Sequence, residues 1–225
     1  MTQLENEISE VKAEVLNMWE MVLSQMMKAR SAMTSFDRDM ARDVISREKR
    51  VNALELKIDL DCENIFALFC PVAIDLRFLL AALKINNNLE RVADFAEGIA
   101  KYVIDAQSEF KADILEKTEL VKMFDEAIDI LNDTKIAYEN EDTTLARTIF
   151  ERDEALDVIN VKAIERVGNC IKEDMSVLND VLYILSIIRK LERVGDQAKN
   201  IAEEIIFYVE AKVLKHANKM GGVEL

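Results

Sequence analysis

Four carboxylates recur in matched pairs along this chain and form its strongest chemical signal. Glu90 and Asp94 make one pair, and Glu192 and Asp196 make the other, each with i, i+4 spacing. On a helix this spacing places both carboxylates of a pair on one face, where they repel each other if nothing compensates them. The pairs therefore predict either salt bridges to neighbouring residues or a bound multivalent cation, because such cations favour oxygen ligands.

A second set of polar residues precedes each pair. Glu48 and Asn52 come before the first pair, and Asp153 and Asp157 come before the second, again four residues apart. If these residues lie on the helix next to the acid pair, four oxygen side chains could build a multinuclear carboxylate site. The neutral amide of Asn52 predicts a weaker site in the first half, whereas Lys199 would oppose a cation in the second half.

The alternative to a metal site is a solvated, salt-bridged surface, which most amphipathic helices possess. Arg91 and Arg193 lie next to the acids and could neutralise them. On a helical wheel, the paired acids lie on a different face from the apolar residues of the same helix, so we expect an exposed or groove-lining position. The single histidine, His216, excludes His-rich zinc or di-iron sites. Both alternatives for the acids stay open.

The acids belong to a duplicated sequence. Leu89-Glu-Arg-Val-Ala-Asp94 returns as Leu191-Glu-Arg-Val-Gly-Asp196, an offset of 102 from the difference 191 − 89. Apolar residues recur with helical period along most of the chain, and it contains only 5 Gly and 1 Pro, which favours long helices. We predict an all-α fold of two tandem three-helix bundles with six long antiparallel helices, divided as residues 1–107 and 108–225. The second helix is predicted over residues 37–70, and the third is predicted to have Pro71 in its first turn. The fourth, fifth and sixth helices are predicted over residues 110–138, 143–172 and 175–215.

The composition of the chain limits its possible partners and its cellular compartment. A formal net charge of −14 argues against nucleic acid as a partner, since phosphates would be repelled. Cys62, Cys70 and Cys170 have no metal or redox spacing and predict reduced core thiols in a cytoplasmic protein. Residues 1–20 lack a basic signal-peptide region, and no apolar run would span a bilayer. Heptad-like stripes favour a homodimer without fixing the oligomeric state.

Three segments resemble the PhoU family of phosphate-signalling regulators. They are Pro71-Val-Ala-Ile-Asp-Leu-Arg77, Leu89-Glu-Arg-Val-Ala-Asp94 and Leu191-Glu-Arg-Val-Gly-Asp-Gln-Ala-Lys-Asn-Ile-Ala-Glu203. The resemblance implies two tandem three-helix bundles. It also implies a cytoplasmic, non-enzymatic regulator that acts between a phosphate ABC transporter and a membrane sensor histidine kinase, restraining phosphate uptake and signalling.

The same resemblance implies metal sites, because some family members bind multinuclear iron or zinc clusters through Glu/Asp-x-x-x-Asp motifs. Those motifs correspond here to Glu90 with Asp94 and to Glu192 with Asp196. The supporting positions in this sequence are Glu48, Asn52, Asp153, Asp157 and Asn200. Asn52 departs from the family pattern by replacing an acid, and the tail through His216 lacks the usual glycine-containing ending.

Two other functions compete with the regulator. A plain helical scaffold or oligomerisation protein would need no metal, and its acidic faces would serve solubility alone. A carboxylate-bridged metalloenzyme would need metal, but the shortage of histidine and the outward aim of the acids argue against it.

Overall fold

The computed structural model describes residues 2–214, and their secondary structure is helical throughout. Within this range, seven α-helices are joined by short connections, with one 3₁₀ turn at Met175–Val177. The helices are α1 (Gln3–Ser35), α2 (Arg38–Phe69), α3 (Ala73–Asp105), α4 (Ala112–Lys117), α5 (Leu120–Asn140), α6 (Thr143–Glu173) and α7 (Leu178–Glu210). Six of them are long, as predicted, and α4 is an additional short helix. Within the described residues, each helix is too short or too polar to cross a membrane.

Local sequence sets where the second helix of each half begins. Asp37 caps α2 by accepting hydrogen bonds from the backbone N–H groups of Asp39 and Met40. Asp142 caps α6 in the same way. An aspartate at this position satisfies amide groups that have no partner inside the helix. The duplication therefore extends to the caps.

The helices pack as two antiparallel groups of three. In the first repeat α1, α2 and α3 contact one another, and in the second repeat α7 packs against both α5 and α6, which also contact each other. Apolar residues at helical spacing form a core seam along α3 and along α7, and ten of them are fully buried. These residues are Leu89, Val92, Ala96, Ile99, Val103, Leu191, Val194, Ala198, Ile201 and Ile205.

The two repeats also share a core, because α3 packs against α7 and α1 packs against α5. Trp19 on α1 lies 5.6 Å from the ring of Tyr138 on α5, and its indole N–H donates a hydrogen bond to the Leu131 carbonyl at 3.2 Å. Phe78 meets Tyr208 edge to face at 5.6 Å. Lys84 of α3 pairs with Glu204 of α7, whose side chain is 7 % exposed. The helices that carry the acid pairs thus form the junction between repeats.

Several predicted helix boundaries were wrong. The predicted helix 110–138 is broken at Glu119, whose φ of 56° is left-handed, so α4 ends and α5 begins there. The last helix was predicted from residue 175 to 215, but it begins after the 3₁₀ turn and ends at Glu210, where Ala211 adopts a left-handed conformation. Pro71 lies before α3 rather than in its first turn.

Cysteine burial corrects a further prediction. Cys62 and Cys170 are buried, as expected of core thiols, but Cys70 is exposed. Cys70 is the residue that ends α2 in a left-handed conformation, and this places its side chain outside the packed bundle. His216 and the tail beyond it lie outside the described residues.

Candidate acidic metal site

The first repeat brings three predicted site residues together in the groove between α2 and α3. Glu48, Glu90 and Asp94 each offer a carboxylate oxygen, and these three atoms lie within 4.8 Å of one another. Glu48 is buried on α2, Glu90 is half-buried on α3, and Asp94 is exposed. The cluster therefore lies in a groove that is closed on the side of Glu48 and open to solvent on the side of Asp94.

Glu48 is the unusual member of this cluster. Both of its carboxylate oxygens are buried and neither accepts a hydrogen bond. Burial, and then repulsion from nearby carboxylates of which Asp94 acts most strongly, raises the pKa of Glu48 to about 7. Gln25 of α1 approaches Glu48 and offsets part of this rise, but the geometry between them falls short of a hydrogen bond. A buried carboxylate with no partner is unfavourable unless a proton or a cation compensates it.

The groove contains more acid than the sequence prediction identified. Burial and then the Asp59 carboxylate raise the pKa of Glu55, while burial, Asp94 and Glu55 raise the pKa of Glu90. Asn86, fully buried on α3, fixes this end of the groove by donating hydrogen bonds of 2.9 Å to Asp59 and to the Glu55 carbonyl.

Glu55 and Asp59, which the sequence prediction did not include, continue a pattern on α2 that can be recognised in the sequence. The positions from Glu48 through Asn52 and Glu55 to Asp59 have the spacing i, i+4, i+7, i+11, which marks one helix face. Gln25 gave no comparable signal, because it lies on α1, whose sequence is otherwise apolar at the buried positions.

The arginine alternative fails for the first cluster. Among residues 2–214, neither Glu48, Glu90 nor Asp94 forms a salt bridge, and Arg91 is exposed. Arg91 acts on Glu90 only through space, where it lowers the pKa less than burial raises it. In the second repeat Arg193 stacks over the ring of Phe95, 4.9 Å from its centroid. The neutralising role predicted for both arginines is therefore not realised by ion pairing.

The second repeat arranges its acids differently. Asp153 is buried on α6 and its Oδ2 lies 2.5 Å from the Lys199 ammonium, which also lies 3.6 Å from Asp196. Asp157 is exposed and Glu192 is half-buried. Burial, followed by repulsion from Asp196, Asp157 and Asp153, raises the pKa of Glu192. A salt bridge from lysine, rather than from arginine, compensates this cluster.

The paired acids of α3 and α7 lie away from the apolar seams and are half-buried or exposed, whereas one acid on the preceding helix of each repeat is buried. Glu48 and Asp153 point into the bundle because each lies on the same face as the core residues of its helix, whereas Asn52 and Asp157, one turn later, are exposed. The two halves differ in how their charges are compensated, since among residues 2–214 the first cluster lacks a compensating cation whereas Lys199 supplies one in the second.

Fold and site together define a class of all-helical proteins made of two three-helix bundles with an acidic groove between the second and third helices. A family model described as the PhoU domain matches residues 15–103 and 120–205. The chain therefore belongs to the PhoU family, as its sequence motifs predicted.

Similar proteins cover nearly the whole chain. The phosphate-specific transport system accessory protein PhoU of Escherichia coli (strain K12) is 31 % identical over 223 residues, covering 99 % of this chain and 90 % of that protein. A PhoU homolog 1 of Thermotoga maritima is 30 % identical and covers 94 % of this chain and 90 % of its own length. The relatives are thus accessory proteins of phosphate transport.

Solved structures agree with the fold. The phosphate transport system regulatory protein PhoU from Streptococcus pneumoniae superposes with a TM-score of 0.86 at 27 % identity, covering 95 % of this chain and all of that one. PhoU from Pseudomonas aeruginosa gives the same TM-score and identity over 93 % of this chain. The all-α fold built from two repeats is therefore confirmed.

Proposed function

We propose that this chain is a non-enzymatic, cytoplasmic regulator of phosphate transport and phosphate signalling. Its accessory and regulatory relatives support this role, and their similarity extends over both repeats. We infer that it docks on a phosphate ABC transporter, a sensor histidine kinase, or both, and thereby changes the balance between conformations of its partner. Such a shift requires only that the regulator bind one conformation more tightly than the other.

We further propose that the first acidic cluster binds iron or zinc. The observation that carries this proposal is the buried, unpartnered carboxylate of Glu48 facing Glu90 and Asp94. These residues fit a cation, since one bound there would compensate three acids that have no ion-pair partner among the described residues. Asn52 and Glu55 are positioned on α2 to add oxygens, and carboxylates can bridge two metal ions. A bound divalent cation would offset most of the negative charge of the groove.

Exposed apolar residues support the docking part of the proposal. Leu56 on α2 and its counterpart Val161 on α6 are 68 % and 78 % exposed. Leu76 and Leu178, near the starts of α3 and α7, are a second exposed pair at equivalent positions. Apolar side chains exposed at equivalent positions of both repeats are available for contact with a partner protein. A homodimer, predicted from the sequence, would use the same kind of surface and remains a prediction.

The double substitution Glu90→Gln with Asp94→Asn tests this function. It preserves side-chain size, so we expect a folded protein that no longer retains iron or zinc by elemental analysis. In a strain that depends on this gene, phosphate-responsive reporter expression should lose its repression at high phosphate. Repression that survives loss of the metal would contradict the role of the cluster in regulation.

A matched control is available on α6. Glu151→Gln with Glu154→Gln removes two exposed helical acids and changes the net charge equally, but leaves the first cluster intact. This control should keep both metal and repression. If both double variants behave like the wild type, the acidic faces serve solubility alone and the chain is a helical scaffold.

A further inference from the structure

Lys199 occupies the position in the second repeat that a bound cation would take. Its ammonium lies 2.5 Å from Oδ2 of Asp153 and 3.6 Å from Oδ1 of Asp196, so it bridges α6 and α7 across the groove. Asp153 is almost fully buried, with a side chain that is 3 % exposed. The positive charge that compensates buried Asp153 is therefore supplied by a side chain of the protein itself.

The repeat offset makes this difference between the halves clear. Lys199 corresponds to Glu97, since 199 − 97 is 102, and Lys101 corresponds to Glu203 by the same difference. The first repeat therefore has an acid, Glu97, followed four residues later by Lys101. The Lys101 ammonium forms a salt bridge with Glu97 at 2.5 Å. The second repeat has the same two charges in the opposite order. This exchange places a positive charge beside Asp153 and a negative charge near Glu48.

A second substitution accommodates the lysine-bound aspartate. Gly195 corresponds to Ala93 of the first repeat, and a Cβ at Gly195 would clash with Oδ1 of Asp153 and lie 2.7 Å from Leu156. The missing side chain allows Asp153 to lie close against α7, within reach of Lys199. Ala93, in contrast, is packed in the core beside the open first cluster.

The polar support of the first groove is also absent from the second. Asn86, which fixes Asp59 in the first repeat, corresponds to Ile188. Asp59 corresponds to Ile164 at the α2-to-α6 offset of 105, which is also the difference 153 − 48. The second groove therefore lacks the hydrogen bond between these two polar side chains, and it has a built-in positive charge.

We propose that the two repeats have different cations: a metal in the first cluster, and the Lys199 ammonium in place of a metal in the second. This inference builds on the metal proposal for the first cluster. According to this proposal, the Lys199 ammonium prevents a metal ion from binding to the four carboxylates of the second cluster, which are Asp153, Asp157, Glu192 and Asp196. Replacing Lys199 with a neutral residue would open this cluster to a divalent cation.

Equilibrium dialysis with Zn²⁺ alone, and with Fe²⁺ alone under anaerobic conditions, tests this proposal. All proteins should carry Cys70→Ser, which removes the exposed thiol as a competing ligand. Substituting Glu192→Gln with Asp196→Asn should leave the metal content at the wild-type value. A fall in metal content would overturn the proposal, because it would mean that the second cluster binds metal while Lys199 is present. This comparison does not require any change at Lys199.

The converse variant is Lys199→Gln, whose amide can still donate a hydrogen bond to Asp153. We expect it to bind at least one metal equivalent more than the wild type, and to lose that increment when Asp196→Asn is added. Lys122→Met, which removes a lysine from an exposed pair with Glu119, should leave metal content unchanged. A folded Lys199→Gln protein without extra metal would overturn the proposal.

The two proposals fail in different ways. If the wild type binds no metal, the metal function of the first cluster is wrong, yet a gain of metal on Lys199→Gln would still support the role of Lys199. If the wild type binds metal and Lys199→Gln gains none, the inference about Lys199 is wrong while the first-cluster proposal stands.

Discussion

Glu48 is the residue at which stability and the proposed site conflict most directly. Its pKa is raised to about 7, from an ordinary value of 4.5, first by burial and then by Asp94 and other acids. The folded chain therefore holds this proton up to higher pH than the unfolded chain does. The carboxyl favours the folded state below about pH 4.5, and this contribution is lost as pH rises through about 7.

The substitution Glu48→Gln should remove this pH dependence. We expect the metal-free variant to be more stable than the wild type at pH 8 by about 1–2 kcal/mol, since solvent screens part of the repulsion, and to differ little at pH 4.5. Urea unfolding of both proteins at the two pH values measures the change. A variant that is less stable than the wild type at pH 8 would mean that the Glu48 charge is already compensated.

Sequence reasoning identified most of the acids in the first groove but not their environments. The spacing of Glu90 and Asp94 predicted one shared face, and that is how they lie. The spacing of Glu48 from Val44 and Val51 places it on the core face of α2, but its lack of a hydrogen-bond partner depends on how α1 and α3 pack around it. Lys199 was expected to oppose a cation, but its contact with Asp153 depends on the packing of α6 against α7.

At the scale of the helix, Gly195 has a role that its neighbours explain. Glycine inside a helix costs up to about 1 kcal/mol relative to alanine, so its presence in α7 needs a packing reason. Asp153 and Leu156 of α6 fill the space where a Cβ would stand. Close approach of the two helices, and with it the Lys199 contact, depends on this absence.

Gly195→Ala should therefore destabilise the protein by about 1–3 kcal/mol through overpacking, despite the better helix propensity of alanine. Gly168→Ala on α6 is the matched control, since nothing lies within 4 Å of its added Cβ. It should stabilise the protein by about 0.5–1 kcal/mol. Thermal unfolding by circular dichroism compares the two. Equal effects at both glycines would contradict the packing argument.

Helix boundaries were predicted well where caps or apolar periodicity define them, as at Asp37 and Asp142. They were missed at Glu119 and at Ala211, two non-glycine residues that take a left-handed conformation. At Glu119, salt bridges to Lys122 and Arg166 accompany the break. The Arg166 partner comes from α6, so the local sequence around residue 119 carried no sign of the interruption.

At the scale of the whole molecule, the two repeats are joined by charge as well as by core packing. Lys84 lies half-exposed over the junction, and its ammonium is 5.4 Å from the centroid of the Phe207 ring. The same ammonium contacts the two carboxylate oxygens of Glu204 at 3.0 and 2.9 Å. Glu204 is buried, so removing its partner leaves a charge in a poorly solvated position.

Lys84→Met should destabilise the protein by about 1–2 kcal/mol, less than for a fully buried pair because the lysine is half-exposed. Adding Glu204→Gln should recover part of that loss, because the buried charge is then gone. Glu20→Gln, which breaks the Lys135 pair between the same repeats at a mostly exposed acid, should cost less than about 0.5 kcal/mol. Denaturant unfolding measures all of these. A double variant no more stable than Lys84→Met would contradict the argument.

The buried indole at the junction has a practical consequence. Trp19 is the sole tryptophan of the chain, and it lies on the first repeat with its ring and its N–H directed at the second. Its fluorescence is therefore a label-free reporter of whether the bundles stay docked. Separation of the halves would wet the indole and shift its emission to longer wavelength, even if every helix remained intact.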